Sequence, residues 1–179
     1  MRWILLFGFI FSSTFAWSNG ELNAQLIKVA MHGQLNDARA LVARGADANG
    51  ATEKGLTPLM LASLQGQREM VTFLIDKGAK VGAKDSTGMT ALMAAAKQGQ
   101  VEIVKALIGA GAEINLHSKN GHSALALAAA DGRLEVVQFL VKAGANISNK
   151  TSDGLTAGDL AALNSHKDVA DFLKSVETP

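Results

Sequence analysis

Glycine returns at one fixed interval: Gly55, Gly88, Gly121 and Gly154 stand 33 residues apart, and each opens a near-copy of one segment. The copies read Gly55-Leu56-Thr57-Pro58-Leu59-Met60, Gly88-Met89-Thr90-Ala91-Leu92-Met93, Gly121-His122-Ser123-Ala124-Leu125-Ala126 and Gly154-Leu155-Thr156-Ala157-Gly158-Asp159. Two more rows keep step, Gly33, Gly66, Gly99 and Gly132, then Gly45, Gly78, Gly111 and Gly144, the latter each followed by alanine. Glycine alone enters the left-handed backbone region cheaply, as turn tips and helix C-terminal caps require. Such a chain is a repeat array, and because one unit cannot bury its own apolar face, its stability must come from stacking.

Within each copy the local chemistry is that of two helices. Thr57, Thr90, Ser123 and Thr156 are N-cap candidates, and Pro58 falls at a first helical position where its missing N–H costs nothing. The first helix then carries small pairs, Ala95-Ala96, Ala128-Ala129 and Ala161-Ala162, that let neighbouring helices approach closely. The second supplies bulk at i, i+3, i+4 spacing: Val71, Leu74, Ile75; Val104, Leu107, Ile108; Val137, Leu140, Val141. Both ends read as caps. In the first copy the hairpin glycine is missing and Lys28 replaces the Leu61 or Leu127 of other copies; in the last, Ser165 replaces the mid-repeat glycine and Asp168, Asp171 and Lys174 polarise the second helix.

A 33-residue period that opens Gly-x-Thr/Ser-Pro/Ala-Leu and closes Gly-Ala resembles the ankyrin repeat. The resemblance implies an all-α repeat solenoid of stacked helix-turn-helix units joined by short β-hairpin turns. It places the domain at 19–179, with a cap repeat at 21–50, full repeats at 51–83, 84–116 and 117–149, and a second cap at 150–179. Ankyrin repeats usually carry histidine after the Thr-Pro-Leu triplet, where this chain has Met60, Met93, Ala126 and Asp159. That histidine commonly ties a hairpin to its neighbour, so looser hairpins are expected. The Thr-Pro-Leu-Met form resembles bacterial ankyrin repeats.

The first 18 residues are of another kind: Arg2, an apolar run from Ile4 to Phe11, then small residues through Ala16-Trp17-Ser18. They resemble a secretory signal peptide, cleaved after Ser18 or after Ala16, and the run falls short of the roughly 20 residues that span a bilayer. With bacterial origin, export means the periplasm; the alternatives are secretion, or an inner-membrane anchor if the segment is retained. The absence of cysteine removes a lipid-modified N-terminal cysteine, cysteine-ligated zinc and thiol catalysis. Charge is balanced, 17 basic against 16 acidic residues, which argues against nucleic acid or an anionic membrane as partner.

No constellation for chemistry emerges. The histidines His32, His117, His122 and His166 form no ligand pair at a metal-motif spacing, and Ser123 beside His122 belongs to the N-cap row. The glycine turns match neither a phosphate-binding loop nor a dinucleotide fingerprint. The expectation is a non-enzymatic binding module without cofactor or metal, a monomer whose partner is another exported protein that it protects or assembles. The alternative is an immunity or inhibitor protein that blocks a periplasmic toxin or hydrolase.

By resemblance, partners meet the hairpin tips and the exposed side of the first helices. Those positions are Glu53, Lys54, Ser86, Thr87, Lys119 and Asn120 at the tips, with Leu56, Leu64, Met89, Lys97 and His122 in the groove. The tips vary between copies as a partner surface would, and as unconstrained loops would. Met60 and Met93 are read as filling space between stacked repeats, with groove contact as the alternative. Toward the C-terminus Lys97, His122, Asp131 and Asp159 replace apolar groups, so the binding end is expected to be N-terminal.

Overall fold

In the computed structural model, which describes residues 18–177, Thr57, Thr90, Ser123 and Thr156 each accept the main-chain N–H three residues on and start a helix there. The helices are α1 (Asn19–Met31), α2 (Leu35–Ala43), α3 (Pro58–Leu64), α4 (Arg68–Asp76), α5 (Ala91–Gln98), α6 (Val101–Gly109), α7 (Ala124–Ala130), α8 (Leu134–Lys142), α9 (Ala157–Leu163) and α10 (Lys167–Glu177). They pair in chain order into five units, here numbered one to five. Among the described residues there is no strand; tight turns, closed for example by Thr52 N–H on the Leu56 carbonyl at 3.0 Å, stand where hairpins were expected.

Each odd-numbered helix packs closely on the odd-numbered helices before and after it, whereas successive even-numbered helices meet sparsely. The alanine rows explain the difference: Ala62, Ala95, Ala96, Ala128, Ala129 and Ala161 are fully buried, and without side-chain bulk the first helices close up. A stack closer on one side than the other curves, so the first helices line its concave face. Between units the leucine row Leu26, Leu59, Leu92 and Leu125 and the second-helix row Val71, Val104, Val137 form one continuous core. Met60 and Met93 are buried in it, as the space-filling reading holds.

The ends show which rows face which neighbour. In unit one, half-buried Gln25 and exposed Asp37 occupy the rows that bury Pro58 and Met70 in unit two, so these rows face the preceding unit. In unit five the leucine row becomes Gly158, Ala162 is exposed where Ala129 is buried, and exposed Lys174 replaces Val141. Polar or small residues therefore fall on the two faces that lack a neighbour, as the end units of a solenoid require.

Two local features depart from the repeat. Ser165, standing in the glycine row, takes φ +65°, the one left-handed non-glycine among the described residues. Ser18, read from sequence as the last residue of a leader, is the N-cap of α1: its hydroxyl accepts Glu21 N–H at 3.3 Å and its own N–H donates to the Glu21 carboxylate at 3.0 Å, a reciprocal capping box. The rest of the expected leader lies outside the described residues.

Candidate groove for a protein partner

The concave face is built from the rows that the first helices turn away from the core. Following it from unit to unit gives Lys28, Leu61, Ala94, Leu127 and Leu160, and beside it Met31, Leu64, Lys97, Ala130 and Leu163. Between units two and three these side chains help form a pocket of about 110 Å³, lined by Leu56, Met60, Leu61, Leu64, Met89 and Ala94 together with Asp85 and Thr90. Three groove residues expected from sequence, Leu56, Leu64 and Met89, thus share one apolar site. Lys97 is exposed on the next turn of the face and His122 is half-buried one unit on; neither lines the pocket.

Glu53, Lys54, Ser86, Thr87, Lys119 and Asn120 are all exposed at the tips, and the tips are not loose. Ser86 N–H donates to the Lys54 carbonyl at 2.8 Å, Lys119 N–H to that of Thr87 at 2.8 Å, and Ser152 N–H to that of Asn120 at 3.0 Å. Backbone thus supplies the tie expected to weaken with histidine gone, because main-chain groups of adjacent turns meet in register whatever side chains they carry. A row unnoticed in the sequence reinforces each turn from within: Thr52, Asp85, Ser118 and Thr151 accept the N–H of Leu56, Met89, His122 and Leu155. Its sequence signal is a short polar acceptor three residues before each hairpin glycine.

Asp85 does this most strongly. Burial pushes its carboxyl up, but the Thr87 hydroxyl at 2.7 Å and the N–H groups of Met89, Thr87 and Gly88 outweigh that and bring it below the ordinary value. Its charge is thereby committed to the turn rather than to the pocket. Asp159, expected as a groove acid, is committed likewise: main-chain and side-chain hydrogen bonds with Thr156 lower its carboxyl, and the two residues form a capping box.

The far half of the face corrects the expectation that apolar groups give way there. Leu127 and Leu160 are half-buried and Leu163 is 67% exposed, the most exposed large apolar residue described. These leucines were not among the groove residues expected from sequence, although Leu163 shares the row of Leu64. They line no pocket with the residues of units two and three.

The fold, its turns and its groove match the family found by comparison: a profile for ankyrin repeats in three copies covers residues 26–118 and again 92–178. The chain belongs to the ankyrin-repeat family. Comparison with curated proteins finds no match. Ankyrin repeats are protein–protein interaction modules, so the concave face and tips are where a partner protein is to be sought. Among the described residues no group of three or more His, Cys, Asp or Glu side chains is placed to hold a metal ion, and no helix is long and apolar enough to cross a membrane.

Proposed function

We propose that this ankyrin-repeat protein is exported to a bacterial periplasm and acts there as a monomer, without catalysis, by holding an exported protein in its groove. The observation that carries the binding part is the pocket between units two and three, where Leu56, Leu61, Leu64 and Met89 stay partly open to solvent on a framework whose turns are hydrogen-bonded from tip to tip. A preformed site loses little conformational entropy on docking, so a few apolar anchors can set the affinity. The polar faces of units one and five support a monomer. Export rests on the sequence of residues 1–18.

The capping box at Ser18 favours processing after Ala16. Cleavage there keeps the N-cap of α1, whereas cleavage after Ser18 removes it and puts a charged amine at the positive end of a helix. The test has two readouts. Intact mass of the chain recovered from the periplasm should correspond to a start at Trp17; an unprocessed mass points to a retained anchor, and recovery only from cytoplasm defeats the export reading. A cross-linked pull-down from periplasmic extract should capture a protein that the Leu56→Glu, Leu64→Glu, Met89→Glu variant does not; equal capture by both moves the site elsewhere. Assay of the captured protein with and without this chain then separates a protecting role from an inhibiting one.

A further inference from the structure

We infer that the pocket between units two and three selects one aliphatic side chain on an acidic segment of the partner. The inference rests on the groove reading above and adds the chemistry of what enters it. Size comes first. A cavity of about 150 Å³ lined by aliphatic and aromatic groups takes a benzene ring. The present pocket holds about 110 Å³, smaller than that, and so suits the end of a leucine, isoleucine, valine or methionine better than a phenylalanine or tryptophan ring.

Charge complementarity supplies the second half. The concave helices of units one to three are α1, α3 and α5, and they carry Lys28 and Lys97 on the exposed face, with His32 at the end of α1. Their one acid is Glu21, whose carboxylate is held by Ser18 in the capping box. Asp85, in the pocket lining, is turned to its own loop by three hydrogen bonds, from Thr87 N–H, the Thr87 hydroxyl and Met89 N–H. Further exposed negative charge near this side comes from Glu53 at a tip, next to Lys54, and from Asp47, whose N–H is held by Asn23 of α1 and whose carboxylate accepts Asn49 N–H. An aliphatic anchor lowered into the pocket therefore has Lys28 on unit one to one side and Lys97, one helical turn beyond Ala94 on α5, to the other, and acidic neighbours along the partner segment would meet both. In units four and five the corresponding surface offers Asp131 and no exposed lysine on α7 or α9, which sets the direction in which such a segment lies.

The experiment is selection of a displayed random-peptide library on the folded chain, followed by affinity of the selected peptide measured by fluorescence anisotropy. The expected consensus is a single aliphatic residue flanked by Asp or Glu. Its replacement by Ala or Phe should weaken binding about tenfold or more, the scale of one buried aliphatic side chain. Lys97→Glu should weaken it by a similar factor, with melting lowered only by the small cost of an acid in the last turn of α5, since the Lys97 side chain is exposed and its carbonyl, which accepts Arg133 Nε at 3.1 Å, is unaltered. Leu64→Phe, which fills the pocket, should abolish it. A basic or aromatic consensus, indifference to Lys97→Glu, or no consensus overturns the inference. If the pull-down partner is lost with the triple glutamate variant but kept with Lys28→Glu, Lys97→Glu, the groove reading stands and only this inference fails.

Discussion

The junction between units two and three and the junction between units three and four are built from the same repeat, yet they are tied differently. At the latter, Asn115 reaches across to accept Asn146 N–H at 2.9 Å and to donate to the Gly144 carbonyl at 3.3 Å, and Lys105 lies 5.9 Å from the Phe139 ring centre. Units one and two use the same devices, Asn49 on Lys80 and Gly78 and Arg39 over Phe73 at 5.2 Å. Between units two and three the asparagine row holds Gly82, and Thr72 and Ala106 stand where the cation and the ring would be. What crosses there instead is an exposed Arg68–Glu102 pair at 3.9 Å, worth little in water. The pocket opens at this less-clamped joint. Gly82, Thr72 and Ala106 lie outside the pocket lining, so the open pocket and the missing tie are two separate features of one junction.

Several substitutions would break or sharpen this contrast. The largest effect is expected from truncating the two buried methionines. Met93→Ala, at a residue 1% exposed, should cost about 3 kcal/mol in urea unfolding. Met60→Ala should cost about 2 kcal/mol, because the space it leaves joins a pocket already open to water. Equal losses would mean that the two joints are packed alike.

Next comes transfer of the clamp. Asn115→Ala removes two inter-unit hydrogen bonds and should cost about 1–2 kcal/mol. Gly82→Asn should gain up to about 1 kcal/mol, since a Cβ at Gly82 meets nothing within 4 Å. Hydrogen exchange across α3 and α5 would slow if the new side chain ties the joint; unaltered exchange would show that the missing asparagine leaves it no looser. A gain of similar size is expected at Ser63, fully buried in a row otherwise alanine, with no partner for its hydroxyl. Ser63→Ala should raise stability by about 1 kcal/mol. A loss on thermal melting would reveal that the hydroxyl is satisfied after all.

The smallest concerns acid. Asp85 has a folded-state value below its ordinary 3.8, so its contribution is complete above that value and disappears as pH falls through the folded value. Asp85→Asn should lower melting slightly near neutral pH, where the charged group's contribution is complete, and flatten its decline below about pH 4. An acid limb as steep as that of the unsubstituted chain would place the sensitivity at another carboxylate.

Much of this was legible in one dimension. The four hydroxyl caps, the glycine rows and the two polar ends are each decided by residues a few places apart, so spacing alone reveals them, and Leu56, Leu64 and Met89 followed from the same register. Less legible were effects of meeting. Ser18 looked like the end of a leader until Glu21 closed a box with it; Asp159 looked like a groove acid until Thr156 held it; Leu163 drew no notice until the structure showed it exposed in the row of Leu64.

The sequence by itself determined the period, the helix starts, the turns and the faces that had to stay polar, because these depend on backbone conformation and burial pattern within one unit. The tertiary structure decided that Leu61, Leu64 and Met89 share a pocket, that the tips are tied by backbone, and that units two and three meet with fewer clamps than their neighbours. Those outcomes depend on how two units are set against each other, and that spacing comes from the summed packing of whole helices rather than from any residue that can be read alone.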